Sequence, residues 1–224
     1  MQLNNIRLPF DVDVHCRSGG CWLRGAMRSV ALKAGESARV NAYRRFDLYT
    51  MSHSLIAASD AIHFDVMASR RPLRDGTGDH SPRNWAHDPA KPLTLKLARA
   101  VFGEPNAPWS RAHAARMLNL SLRDLSAWML REGAALTSLV CEQRLMRALF
   151  EVSQGKGQTG RYGFVSRERR DTAFFERFGV CVEQTAVIGR LGTVSWSGNP
   201  VDAVGGEASR SSSTVSRNRA PHAR

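Results

Sequence analysis

The sequence lacks the features of a membrane-spanning or secreted protein. No apolar run approaches the roughly 18 residues that a membrane-spanning helix needs. The first residues, Met1 to Asp13, lack the basic flank followed by an apolar stretch that marks a secretory signal. We therefore expect a cytoplasmic protein with no membrane partner.

The sequence also lacks the motifs of the common enzyme and phosphate-binding sites. There is no Gly-x-Ser-x-Gly nucleophile motif, and the glycine-rich stretch Gly155–Gly160 lacks the Gly-Lys-Ser/Thr ending of a phosphate-binding loop. Ser121 lies near Asp124 and His113 in the sequence, but a helix cap explains this serine better than catalysis does. We expect neither an enzyme nor a bound cofactor.

Cysteines are few, and their spacing does not suit a metal site. Cys16 and Cys21 are close in sequence, whereas Cys141 and Cys181 stand alone. A zinc site prefers two close pairs, or one pair followed by spaced histidines, and the seven histidines do not supply that pattern. We expect reduced thiols and no metal.

Basic residues are abundant. The chain of 224 residues has 32 Lys and Arg against 20 Asp and Glu, a net charge of +12 and a pI near 10.7. The excess concentrates in residues 91–180, which hold 15 basic and 8 acidic residues. Such a charge favours a polyanionic partner, with nucleic acid first, although a solvated basic face would give the same count.

Residue patterns divide the chain into a β-rich first part, a linker and a helical part. Residues 1–68 alternate apolar and polar residues between turn glycines, and residues 69–92 are rich in proline, glycine and charge. We expect no order in residues 181–224, where glycine, serine and arginine dominate past Ile188. The predicted strands are Cys21–Leu23, Ser29–Leu32, Ser37–Ala42, Phe46–Thr50 and Ile62–Ala68.

Helical periodicity begins at Leu93 and continues to residue 180. Ser110 and Ser121 are predicted to cap two short helices, and a longer helix follows over Leu136–Val152. The pattern indicates a helix-turn-helix, in which Ala115 is small enough for the helices to cross closely.

The second of these short helices, around Ser121–Leu130, has the pattern of a recognition helix. Its predicted inward residues are Leu125, Trp128 and Met129, and we expect Trp128, like Trp109, to pack in the core rather than stack on bases. The outward positions include Arg123, which could donate two hydrogen bonds to guanine.

These residues resemble the AraC/XylS family of bacterial transcription regulators. The resemblance rests on Trp109-Ser110, Ala115 to Ser121, Arg131-Glu132-Gly133, Arg144-Leu145-x-x-Ala148, Gly163-Phe164-x-Ser166 and Phe174-x-x-x-Phe178-Gly179. It covers residues 93–180. It implies an α+β protein of two domains, a β-rich N-terminal regulatory domain and an all-helical DNA-binding domain with two helix-turn-helix units bridged by a long helix.

The resemblance also implies which side chains read bases. In the first unit they are Arg123, Ser126 and Ala127. In the second, on a helix around Ser166–Phe178, they are Arg167, Glu168 and Thr172. Ala127 and Thr172 stand where the family commonly has arginine.

The second unit departs further from the family. A glycine-rich stretch over residues 154–161 replaces a short helix, Arg170 stands where a core phenylalanine is usual, and no proline follows Gly179-Val180. We therefore regard the second unit as degenerate.

Other arginines are candidates for phosphate contacts, which supply affinity without sequence information. For the run Arg167, Arg169 and Arg170, plain surface charge is the alternative. The phosphate candidates are Arg116, Arg131, Arg144, Arg161, Arg169 and Arg170.

The sequence thus predicts a DNA-binding transcription regulator that binds double-stranded DNA. The resemblance implies recruitment of RNA polymerase, more often for activation than for repression. The first 68 residues are short for a ligand-holding barrel, so we favour homodimerisation or a regulatory partner protein there. The alternative is a partner- or ligand-binding protein whose DNA-binding half has decayed.

Overall fold

A computed structural model describes residues 2–17, 19–50, 64–68, 92–155, 160–190 and 194–197. Eight strands and six helices lie in these ranges, the helices following the first seven strands. The predicted linker, apart from residue 92, and the tail from residue 198 onward lie outside the described residues, as does 156–159 within the glycine-rich stretch.

The strands form two four-stranded sheets. One has the order β1-β6-β3-β4 and the other β5-β2-β7-β8. All pairings are antiparallel except that of β7 with β8. The bounds are β1 Gln2–Ile6, β2 Val12–Cys16, β3 Gly20–Gly25, β4 Ser29–Lys33, β5 Ser37–Val40, β6 Phe46–Thr50, β7 Phe64–Ala68 and β8 Val194–Ser197.

The five predicted strands are present as β3 to β7, and β1 and β2 are additional. Alternation in β2 is regular, with Val12, Val14 and Cys16 buried. Alternation in β1 is interrupted because the register shifts between Leu3 and Ile6, where Asn5 has a φ of 57°.

The first five helices match the predicted positions, and the sixth was not predicted. They are α1 Pro92–Gly103, α2 Arg111–Leu118, α3 Leu122–Arg131, α4 Leu136–Ser153, α5 Arg167–Phe178 and α6 Val182–Arg190. In the described residues between α4 and α5 the chain forms turns rather than a helix.

Regular structure after residue 180 differs from the expected disorder. In α6, Val182 and Ala186 are buried in the apolar core, and β8 pairs in parallel with β7. The sequence of α6 contains enough apolar residues to cover a neighbouring helix, and α6 packs on α4. The tail prediction was wrong for these two elements.

Buried apolar side chains form two clusters that meet along α4. The first, here called the β-α5 core, joins both sheets to the second half of α4, from Leu145 to Val152, and to Phe174 and Phe178 of α5. The second, the α2-α3 core, joins α1, α2 and α3 to Leu139 and Val140 in the first half of α4. The two short predicted recognition helices therefore rest on different cores.

Among the described residues, no helix is long and apolar enough to cross a membrane.

Candidate nucleic-acid interface

The turn between α2 and α3 is fixed by capping hydrogen bonds. α2 ends at Asn119, whose φ of 55° and ψ of 45° place it in the left-handed region. The backbone amide of Asp124 donates to Oγ of Ser121 (3.1 Å), and that hydroxyl donates to the Asp124 carboxylate (2.7 Å). Ser110 caps α2 in the same way, by accepting from the amide of His113. Both predicted caps are present.

Fewer side chains of α3 face the core than the sequence predicted. Leu125 and Met129 are 1% and 9% exposed and belong to the α2-α3 core. Trp128 is 37% exposed, and the guanidinium of Arg131 lies 5.0 Å from its ring centroid. The prediction that Trp128 packs in the core was wrong. Trp128 follows Leu125 by three residues and Met129 follows it by four, so the two lie on opposite sides of Leu125 around the helix, and only Met129 faces the core. Trp109 does pack against the α2-α3 core.

The outer side of α3 carries the three predicted base-reading residues together. Arg123, Ser126 and Ala127 are all exposed. The hydroxyl of Ser126 donates to the backbone carbonyl of Leu122 at 2.9 Å. The helix therefore presents one long cationic side chain beside two short ones.

The outer side of α5 carries the second predicted set. Arg167, Glu168 and Thr172 are exposed, and the Thr172 hydroxyl donates to the carbonyl of Glu168. Ser166 caps the helix by accepting from the amide of Arg169. A hydrogen bond with the Ser166 side chain lowers the pKa of the Glu168 carboxyl, which keeps a negative charge at the helix N-terminus.

Two of the phosphate candidates are hydrogen-bonded within the protein, and one of them is fully buried. Arg170 is 1% exposed, and its guanidinium donates to the carbonyl of Gly160 and the carboxylate of Asp171. It occupies the interior position that the resemblance gives to phenylalanine, so its assignment as a phosphate contact was wrong.

Arg144 is directed at the loop between α1 and α2. It donates to the carbonyls of Pro105 (2.8 Å) and Ala107 (3.1 Å), and burial lowers its pKa. Gly163, with a φ of 76°, passes so close to this guanidinium that a Cβ there would clash with it. Arg144 therefore holds two turns together instead of facing a phosphate. The remaining candidates, which are all exposed, are Arg116, Arg131, Arg161 and Arg169.

A polar network that the sequence did not reveal joins the β region to α5. Glu142 of α4 accepts a hydrogen bond from Arg7 (3.5 Å) and forms an ion pair with Arg177 (3.3 Å). Asn5 in β1 is hydrogen-bonded to the backbone of Arg177. The contacts of Arg7 with Glu142 and of Asn5 with Arg177 bridge positions more than 130 apart in sequence, which no local pattern could indicate. They place α5 directly on β1.

Metal and disulfide chemistry find no support in the described residues. No group of three or more His, Cys, Asp or Glu side chains there could hold a metal ion. All four cysteines are free thiols, and Cys16 and Cys21 are buried. Burial raises the pKa of Cys21 to about 12, so it is unreactive near neutral pH.

Comparison with known proteins gives a likeness in fold. No protein-family model and no curated protein sequence matches the chain. Solved structures of ToxT from Vibrio cholerae do match it. The form bound to (E)-4-(8-methylnaphthalen-1-yl)but-3-enoic acid has a TM-score of 0.54 at 12% identity, covering 84% of this chain and 94% of that one.

Two further ToxT structures agree. An apo form gives a TM-score of 0.53 at 12% identity over 83% of this chain and 92% of that one. A form bound to an unsaturated fatty acid gives 0.52 at 13% identity, over 83% and 89%. This chain therefore shares the ToxT layout of a β-sheet region followed by helices, the AraC-like fold that the sequence resemblance implied.

Proposed function

We propose that this protein is a sequence-specific, DNA-binding transcription regulator. The outer face of α3 carries the proposal: Arg123, Ser126 and Ala127 are exposed on a helix that is capped at Ser121 and anchored through Leu125. An exposed, rigidly held helix face is what entry into a major groove requires. The arginine provides a two-donor contact for guanine O6 and N7.

Electrostatic attraction supports the same proposal. Arg116 on α2 and Arg131 at the end of α3 are exposed, and the whole chain has a net charge of +12. Phosphate neutralisation by such groups gives salt-dependent affinity for any duplex. Discrimination between sequences must come from the base-reading residues.

We assign α5 as a second reading helix through Arg167, Glu168 and Thr172. Their exposure and the cap at Ser166 support this assignment. The second candidate is a partner- or ligand-binding protein whose DNA-binding half has decayed. The turns between α4 and α5, where the resemblance implies a short helix, support this candidate. In that case neither α3 nor α5 would discriminate between DNA sequences.

We propose that the β region controls the regulator by dimerisation or by binding a partner protein. The inward side chains of both sheets pack in one apolar cluster, which supports a protein contact over a small-molecule cavity. Two ToxT structures carry bound organic acids, so an acid of that kind is the alternative effector. From the family resemblance we propose that the DNA-bound protein recruits RNA polymerase in the cytoplasm, and that it activates transcription rather than represses it.

The test is selection from sheared genomic DNA at near-physiological salt, followed by sequencing of the bound fraction. A recurrent motif is expected, and its length shows whether one or both helices read bases. Uniform recovery without a motif would contradict the proposal and support the alternative.

The Arg123→Ala variant assigns the contact. It should relax preference at one base pair and leave the slope of log affinity against log salt nearly unchanged. The Arg116→Ala variant is the matched control, because loss of a phosphate contact should weaken all sequences alike and reduce that slope by about 1. Equal weakening of all sequences by Arg123→Ala would make Arg123 a phosphate contact.

A further inference from the structure

An apolar strip follows Arg123 along the outer face of α3. Arg123, Ala127 and Leu130 are spaced by four and three residues, so they lie on one side of the helix. All three are exposed, and Leu130 is 83% exposed. Leu125 and Met129 face the core from the other side.

The polar side chains around this strip have partners within the protein. The Ser126 hydroxyl donates to the carbonyl of Leu122, and the Asp124 carboxylate accepts from the Ser121 hydroxyl. Arg131 lies over the ring of Trp128. Along this strip α3 offers outward one cationic donor, followed one turn later by a methyl group.

The major groove contains a feature that matches a methyl group. Thymine presents its 5-methyl group there, and apolar contact with alanine is a recognised way of reading it. Four residues of helix advance by about 6 Å, which corresponds to roughly two base-pair steps of 3.4 Å. A helix whose Arg123 contacts a guanine thus brings Ala127 to a base one or two pairs away.

We propose that Ala127 reads a thymine through its 5-methyl group, within two base pairs of the guanine read by Arg123, with Leu130 extending the apolar contact. The inference rests on the proposed DNA-binding function and names the chemistry of its target. The occupant of this face is the major groove of duplex DNA, in agreement with the positive charge of the exposed arginines Arg116 on α2 and Arg131 on α3. A base without a 5-methyl group at that position would leave the methyl group of Ala127 without an apolar contact.

The test removes single methyl groups from the DNA. In the duplex recovered by selection, each thymine is replaced in turn by deoxyuridine, which lacks only the 5-methyl group. Replacement of one thymine should weaken binding of the wild-type protein about fourfold, the effect of removing one buried methyl group. Replacement of thymines elsewhere should leave affinity within twofold.

Protein variants assign the contact to its residue. In Ala127→Gly the deoxyuridine effect should disappear. The Ala112→Gly variant, with an exposed alanine on α2, controls for the cost of glycine in a helix and should keep the full effect. Circular dichroism of both variants checks that the helices remain formed.

The outcomes separate this inference from the function on which it rests. Replacement of the guanine assigned to Arg123 by another base tests the underlying function. If this replacement weakens binding and no replacement of a thymine by deoxyuridine does, α3 reads DNA but the thymine contact is overturned. A deoxyuridine effect that persists undiminished in Ala127→Gly overturns the role of Ala127. Absence of any selected motif overturns both the function and the contact.

Discussion

Asn5 and Arg177 exchange two hydrogen bonds across 172 positions of sequence: Asn5 Nδ2 donates to the Arg177 carbonyl and Arg177 Nε donates to the Asn5 carbonyl, each at 3.0 Å. The backbone amide of Asn5 donates to the carboxylate of Asp47 in β6. The last turn of α5 is thereby tied to the first sheet. The β region and α5 share both an apolar core and this polar tie.

Replacing Asn5 by alanine should lower the free energy of unfolding by about 1–3 kcal/mol. The variant loses one hydrogen bond, leaves a partly buried carbonyl without its donor and places alanine at a φ of 57°. Urea unfolding measures the change, and Gln2→Ala, an exposed change in the same strand, is the control. An Asn5→Ala midpoint equal to that of the wild type would show that the tie contributes nothing.

Neighbouring arginines of α5 should have opposite phenotypes. Arg170→Ala should reduce stability by about 2–4 kcal/mol, because it empties an interior site and leaves the Gly160 carbonyl unpaired. Arg169→Ala should leave stability within about 0.5 kcal/mol and weaken DNA binding for all sequences. Thermal unfolding and binding titrations check both. The reverse pattern would contradict the orientation of α5.

Loss of the cap at Ser121 should destabilise α3. Ser121→Ala removes the acceptor for the Asp124 amide and should cost about 1 kcal/mol. Ser126→Ala, on the same helix, removes only an exposed hydroxyl and should be nearly neutral in chemical unfolding. Equal effects of the two changes would argue against Ser121 as the cap.

Stability should fall as the pH rises above about 9. Burial raises the pKa of Cys21 from its ordinary value of 9.0 to about 12. The unfolded chain thus releases this proton at a lower pH than the folded chain does. The contribution to stability is complete below pH 9 and is lost as the pH rises towards 12. Denaturation midpoints measured from pH 7 to 11 follow this loss, and Cys21→Ala should reduce its slope. An unchanged slope in the variant would assign the loss to other groups.

Local patterns predicted most of the secondary structure. Alternation and turn residues located β3 to β7, and the serine caps located α2 and α3. These signals are complete within a few residues of chain. The β1 strand was not predicted because the register shift at Asn5 interrupts its alternation.

Side-chain environments set by distant residues could not be predicted. Arg170 is stable in the interior because the carbonyl of Gly160 lies beside it, and periodicity carries no information about such a partner. Trp128 has the residue type and spacing of a core position, but it lies at the margin of the α2-α3 core and pairs with Arg131 instead. The base-reading residues were placed on exposed faces as expected, although their contact with DNA stays a prediction.

The β-α5 core, which the sheets and α5 share, limits how the N-terminal and C-terminal parts of such proteins can be exchanged. A chimaera joined within residues 69–92 would separate Phe174 and Phe178 from the sheets that bury them. We expect a fragment starting at residue 92 to keep α2 and α3 folded and to expose apolar surface around α5, visible as binding of a hydrophobic dye. In this fold the module boundary that matters for engineering crosses the middle of α4 and not the proline-rich segment.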